Sequence, residues 1–384
     1  MKEFSKYKLS GFCSFFILGT LLTALPALMP VIKEELKLSY DSLGIIFSAG
    51  SIGFFIGSLV AGITTESLGV RKNNLLGILL AMIGVFGMVF SVNAIMLCIS
   101  NFVYSFGTAL LEIGIPSVAK IFVKKSAGVM NLMHSLFALG AMASPIIVSI
   151  LISTNTSWQV FYIIIGISLA LPALIFMNSG YHINTKSGAK KIRESTQFFR
   201  MPLFWIVCIT TLCYVFSELG VNSWAPTYAT DSMNYAPEKA SLLPSVFWGG
   251  LFIGRFVASK LVDRIGEVKW LLIVSAIGIP IVFFAQNPVM NYYFLMIFVF
   301  LSGTIHASFY PTLQSIIMDN VKSGLGFAIS VFSAFGSLGG VFGGIFIGQI
   351  SSAFGIKAGY SSAFYFFLIT FAMISLIYIK KNQK

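Results

Sequence analysis

The chain has 384 residues, of which 57% are hydrophobic and only 10% charged, and its net charge is +12. Soluble domains carry about 25% charged residues, so water is not the main solvent of this chain, and its basic residues lie in short clusters between apolar runs, so no nucleic-acid partner is expected. The four cysteines (Cys13, Cys98, Cys208 and Cys213) fall inside apolar runs without metal-site spacing, so they read as small apolar fillers and neither metal nor cofactor is expected.

A membrane-crossing helix needs about 20 mostly apolar residues. The sequence predicts twelve, at about 9–31, 41–63, 73–91, 94–117, 129–152, 159–177, 203–227, 240–261, 270–286, 291–313, 324–350 and 358–379. The first follows Lys2, Lys6 and Lys8 as the core of a signal peptide would. It is long, lacks a small-residue cleavage site and precedes many further spans, so it reads as span 1. One polar stretch, 178–201, is long enough to be a linker, and it divides the chain into an N-terminal six-helix bundle (1–177) and a C-terminal one (202–384). With both termini and every even-to-odd loop on one side, that side collects twenty lysines and arginines and the opposite side four. Basic loops stay in the cytoplasm, so both termini are expected there.

The two halves also resemble each other. Offset by 197 residues, Gly53, Gly57, Val60 and Ala61 of span 2 fall on Gly250, Gly254, Val257 and Ala258 of span 8. Small residues at this spacing let helices approach closely. An internal repeat about a central linker marks a transporter built from two bundles that rock about a midplane site.

Ionisable groups within the spans are the functional candidates, because burying a charge in hydrocarbon costs at least ~3 kcal/mol. In span 4, Asn101, Tyr104, Ser105, Thr108 and Glu112 recur at three- and four-residue steps. They form one polar stripe, expected to face a water-filled cavity, with Glu112 as a reversible proton carrier. Asn131, His134 and Ser135 make a smaller cluster in span 5. Span 7 carries Tyr214, Glu218 and Asn222, followed by Trp224. A carboxylate, an amide and an indole within two turns suit a polyhydroxylated ligand, although an indole near a span end also serves as an interfacial anchor. In span 10, Ser302, His306, Tyr310 and Gln314 lie four apart; His306 is expected either to line the cavity or to pack as a hydrogen-bonded core residue. Arg255 follows Gly254 near the cytoplasmic end of span 8, and is expected to belong to a gate.

The loop between spans 2 and 3 holds Gly62, Glu66, Gly69, Arg71 and Lys72, and a weaker copy 197 residues later holds Asp263 and Gly266. This pattern resembles the cytoplasmic loop after helix 2 in major facilitator superfamily transporters, with Glu66 for the usual Asp, and Ser67 and Val70 where basic residues are common. A finer resemblance, to the fucose–galactose–glucose:proton symporter branch, rests on Leu111-Glu112-Ile113-Gly114, on Met130 to Phe137 with Leu139-Gly140-Ala141, on Tyr214 to Tyr228, and on Phe309-Tyr310-Pro311-Thr312. The resemblance implies proton coupling at Glu112 and sugar binding at His134. Span 1 lacks the carboxylate of the fucose transporter, and Pro116 stands where an asparagine is often found.

The expected fold is therefore all-α: twelve transmembrane helices in two pseudo-symmetric six-helix bundles. The expected function is secondary active transport by alternating access, most concretely proton-coupled uptake of a hexose-like sugar by a monomer in the bacterial cytoplasmic membrane. Glu112 and Glu218 would couple protons, and Asn131, His134, Asn222, Trp224, His306, Tyr310 and Gln314 would bind substrate. Gly62, Glu66, Gly69, Arg71, Lys72, Arg255, Asp263 and Gly266 would form a cytoplasmic latch. A proton-driven exporter of drugs or small metabolites is the alternative, favoured by 38 phenylalanines and 15 methionines that could line an adaptable cavity. An enzyme is not expected, since no nucleophile–base pair of recognisable spacing is present.

Overall fold

A computed structural model describes the backbone of residues 2–122, 127–177, 197–287, 291–321 and 325–382. Side chains are described for the same residues except 2–8, 62, 66, 116–122, 127–132, 325–327 and 381–382. Every regular element among them is helical. Twelve helices are long and apolar enough to cross a membrane. The first six are span 1 (Leu9–Glu35), span 2 (Tyr40–Thr65), span 3 (Val70–Val89), span 4 (Ala94–Ile115), span 5 (Met133–Ser153) and span 6 (Gln159–Met177). The others are span 7 (Pro202–Asp231), span 8 (Pro237–Ile265), span 9 (Glu267–Gln286), span 10 (Tyr292–Asn320), span 11 (Ala328–Phe354) and span 12 (Ile356–Lys380).

Several spans run past their predicted ends, because a helix continues as long as its backbone can bond internally, whatever the polarity of the side chains. Three spans are interrupted: span 6 at Leu169, span 8 at Ser241–Leu242 and span 10 at Ala307–Ser308. Each break lies two to four residues before a proline, namely Pro172, Pro244 and Pro311. Proline has no N–H to offer the carbonyl one turn back, and its ring crowds that carbonyl, so the ladder opens there.

The chain separates into two compact units. The first comprises Met1–Leu38 and Ile45–Lys190, the second Ser39–Gly44 and Lys191–Lys384. Ser39–Gly44 joins the second unit through hydrogen bonds: the Tyr40 hydroxyl donates to Asp231 Oδ2 at 2.9 Å, and the Asp41 N–H to Ser352 Oγ at 3.1 Å. Most of the expected linker lies outside the described residues; its end forms a short 3-10 turn at Gln197–Arg200.

Backbone-to-backbone packing at glycine builds each unit. In the first, a Cβ on Gly53 or Gly57 of span 2 would strike the carbonyls of Phe102 or Phe106 in span 4. Spans 1 and 5 cross where Gly19 meets the Phe137 carbonyl and Gly140 meets that of Phe16. In the second, Gly250 and Gly254 of span 8 lie on the carbonyls of Phe300 and Thr304 in span 10, and Gly339 of span 11 lies on that of Leu212 in span 7. Lipid gives no hydrophobic drive for helix association, so close van der Waals contact at small residues supplies it.

Candidate functional site

In the first unit the polar stripe of span 4 does not face one open cavity, which corrects the sequence expectation. Asn101 is buried, and its Nδ2 donates to the Ile46 carbonyl of span 2 at 2.6 Å. The Ser105 hydroxyl donates to Asn101 Oδ1 at 3.3 Å, and that of Thr108 to the Ser105 carbonyl. Helical period put these side chains on one face; Asn101 ties it to span 2, Ser105 and Thr108 bond within span 4, and Tyr104 meets Gly84 of span 3. Glu112, one turn further on, is half-buried. Just beyond it, Gly114 makes room for the side-chain amides of Asn73 and Asn74 in span 3. Asn73, fully buried, donates to the Leu110 carbonyl at 2.9 Å and accepts from Thr64 at 2.5 Å. Sequence reading passed over this asparagine pair, although two amides opening an apolar span were a usable signal. His134 is exposed at the start of span 5, with the Phe15 ring edge-on at 5.5 Å. The Asn131 side chain lies outside the described residues.

In the second unit, span 7 packs against spans 10, 11 and 12. Phe216 stacks on Phe366 and Tyr228 on Tyr360, both of span 12. Leu212 and Val215 meet Gly339 of span 11, and Tyr214 stacks on Phe309 of span 10. Glu218 and Asn222 follow Tyr214 at four-residue steps along the same stripe. Glu218 Oε2 and Asn222 Oδ1 are buried acceptors with no hydrogen-bond partner. Arg255, expected in a gate near the end of span 8, lies ten residues before the end of that span at Ile265. Glu218 is near the middle of Pro202–Asp231. Arg255 is exposed, within electrostatic reach of Glu218.

His306 lies wholly inside the packing. Its Nδ1 is 2.8 Å from the Ser302 carbonyl, which can only accept, so Nδ1 carries the proton; Nε2 then accepts from the Ser217 hydroxyl at 3.3 Å. Rings of Tyr214, Phe247, Phe309 and Phe367 enclose it. Of its two sequence-derived roles, this geometry is that of the hydrogen-bonded core residue. Trp224 is buried too. Tyr310 donates to Ser333 Oγ at 3.1 Å, and Gln314 is half-buried.

The two repeated loops share a backbone device. Gly69 (φ 81°, ψ 154°) and Gly266 (φ 91°, ψ 136°) each end one helix and cap the next. Only glycine occupies this region of φ/ψ space comfortably. Arg71, expected in a latch, is held inside the first unit: its Nε donates to the Phe176 carbonyl at 3.1 Å and its Nη2 to that of Met177. A guanidinium there satisfies the open carbonyls at the end of span 6 and complements its dipole. Lys72 and Asp263 are exposed. Gly62 continues the helix of span 2, and the Glu66 side chain lies outside the described residues. Among the described residues, no group of three or more His, Cys, Asp or Glu could hold a metal ion.

The family model described as Major Facilitator Superfamily matches residues 9–285 and 240–384. A protein TsgA homolog of Buchnera aphidicola subsp. Acyrthosiphon pisum is 23% identical over 379 residues, covering 97% of this chain and 96% of the relative. Among solved structures, a bacterial homolog of the human lysosomal transporter Spinster aligns with a TM-score of 0.81 at 16% identity, covering 97% of this chain and 96% of that one. The nucleoside transporter NupG aligns at 0.78 with 14% identity, over 98% of this chain and 99% of that one. The transporter FucP in its outward conformation aligns at 0.68 with 19% identity, over 97% of this chain and 99% of that one. At these identities the structural likenesses establish the fold.

Proposed function

This chain belongs to the major facilitator superfamily of membrane transporters, and on that premise we propose that it takes up a hexose-like sugar together with a proton. The observation that carries the reading is the pair of buried acceptors, Glu218 Oε2 and Asn222 Oδ1, one turn apart with no donor to meet them. An unmet buried polar group costs about 1–3 kcal/mol. A solute rich in hydroxyl groups relieves that cost at both atoms, whereas an apolar drug leaves it standing. Arg255, within electrostatic reach of the same carboxylate, offers further donors, and Gln314 of span 10 completes the proposed contacts. His306 and Trp224 are left out of the binding set because both are enclosed.

Glu112 is the proposed proton carrier. Protonation removes its charge, and a neutral carboxylic acid traverses a dry intermediate at much lower cost than an anion. The excess of basic residues on one set of loops supports cytoplasmic termini, and the bacterial relatives support a seat in the cytoplasmic membrane. The reading is tested in proteoliposomes under an inward proton gradient, with D-galactose, D-glucose and L-fucose as probes. Wild-type protein accumulates at least one of them, and Glu112→Gln retains exchange while losing accumulation. Proton-driven efflux of a hydrophobic cation, with none of the sugars carried, would establish the exporter reading instead.

A further inference from the structure

Span 7 packs along its length against spans 11 and 12. On span 11 the contacts recur every four residues: Gly339 lies on the Leu212 carbonyl, a Cβ on Gly343 would lie 3.7 Å from the Phe216 Cα, and Ile347 reaches Gly220. On span 12, Phe216 stacks on Phe366 with ring centroids 3.6 Å apart, and Tyr228 on Tyr360 at 4.6 Å. Between these two stacks stands Gly220. A Cβ built there would overlap that of Ala363, and would lie 3.3 Å from Ile347 Cδ1 and 3.8 Å from Gln286 Nε2. Ile347 can swing its Cδ1 aside and Gln286 is at an ordinary distance, but Ala363 is fully buried and has no rotamer by which to yield. Nonbonded carbons settle at about 3.5–4.0 Å, so a methyl group at position 220 must push spans 7 and 12 apart by on the order of 1 Å.

The direction of that push follows from helix geometry. Glu218 and Asn222 stand two residues to either side of Gly220. An α-helix turns about 100° per residue, so the midpoint of the pair points about 180° away from Gly220. Span 12 thus lies behind the two unmet acceptors, Glu218 Oε2 and Asn222 Oδ1, and a displacement at Gly220 moves them along the line on which they face out. Binding groups keep their geometry only when held to about 0.5 Å, and the displacement exceeds that tolerance.

We propose that Gly220 is a positioning residue for the solute site: by admitting Ala363 behind span 7, it sets the depth at which Glu218 and Asn222 stand. The proposal rests on the uptake reading for what those acceptors bind, and it adds a residue that touches no solute. A side chain is absent at 220 because the span 12 side has no room for one, and the acceptors on the other side of the helix inherit their position from that contact.

The test moves one methyl group across the seam. Gly220→Ala adds it to span 7, and Gly220→Ala/Ala363→Gly also deletes it from span 12. In infrared spectra of purified protein, without any solute, the carboxyl band that Glu218→Gln removes reports the surroundings of that acid. Gly220→Ala should displace the band, and the double variant should return it. A band unmoved by Gly220→Ala, or left displaced in the double variant, overturns the proposal. Should Gly220→Ala fail to give monodisperse protein, Ala363→Ser presses on the same seam with a side chain able to rotate, and a displaced or unmoved band decides in the same way. In proteoliposomes, KM is then compared for whichever of D-galactose, D-glucose and L-fucose the wild type accumulates. Gly220→Ala should raise KM about fivefold or more, the loss expected when one hydrogen bond is misplaced, with Vmax little changed, and the double variant should recover the wild-type KM. A fall in Vmax at unchanged KM is the mark of a purely structural role and also overturns the proposal. Transport of none of the three sugars sinks the uptake reading, and the infrared result then decides the role of Gly220 by itself.

Discussion

In the first unit span 2 lies on span 4 through Gly53 and Gly57; in the second, span 8 lies on span 10 through Gly250 and Gly254. The loops that follow turn on Gly69 and Gly266 with nearly the same backbone angles. The polar side chains mounted on this shared frame differ. Span 4 spends most of its stripe on hydrogen bonds within itself and to span 2 and leaves Glu112 half-buried, while span 7 presents Glu218 and Asn222 as unmet acceptors with Arg255 within electrostatic reach of one of them. The frame is repeated because helix packing demands the same close approach twice. The chemistry has diverged because a carrier needs a proton site and a solute site, and one unit can specialise in each.

The largest expected effect tests the shared frame. Gly53→Val and Gly250→Val both drive a side chain into a neighbouring backbone carbonyl, which has no rotamer by which to yield. Overpacking in a well-packed core costs about 1–3 kcal/mol even where side chains can adjust, so both variants should fail to give monodisperse protein in detergent. Normal behaviour of either one by size-exclusion chromatography would break the equivalence of the two seams.

A smaller effect tests the division of labour. Glu218→Gln should raise the sugar KM at least tenfold while the accumulation ratio of the remaining transport is kept, the reverse of the pattern expected for Glu112→Gln. His306→Phe should lower stability by about 1–3 kcal/mol, since it removes the acceptor of Ser217 and the donor to the Ser302 carbonyl, yet leave KM within twofold. A large rise in KM for His306→Phe would return that histidine to the solute site. The smallest effect concerns the loops: Gly69→Ala and Gly266→Ala should each destabilise by about 1–3 kcal/mol through backbone strain alone, and by similar amounts in thermal unfolding. No atom lies within 4 Å of a Cβ at Gly266, so unequal losses would locate a steric clash at Gly69.

Much of this was legible without coordinates. Twelve apolar runs gave twelve spans, because lipid leaves an isolated backbone no stable form but the helix. The glycine repeat at an offset of 197 announced two equivalent seams. The breaks at Leu169, Ser241–Leu242 and Ala307–Ser308 each precede a proline, but Pro26, Pro30, Pro145, Pro226 and Pro280 lie inside continuous helices, so proline alone does not locate a break. What resisted reading was the destination of each polar face. The stripe through Asn101 was correctly seen as one stripe, but period alone cannot say whether span 2 or water lies opposite. The sequence pattern places Arg71 in a cytoplasmic latch, and the structure holds it on the last carbonyls of span 6.

The sequence by itself determined the solvent, the number of spans, the repeated frame and the short set of residues able to carry charge. These are properties of composition and period, which act along the chain. Only the tertiary structure decided which of those residues are spent on holding helices together. It enclosed His306 among aromatic rings, tied Asn101 to a carbonyl of span 2, and left Glu218 and Asn222 with unmet acceptors. Those outcomes depend on what a neighbouring helix presents at the same depth. A helix specifies its own faces, and its neighbours decide which of them stays open.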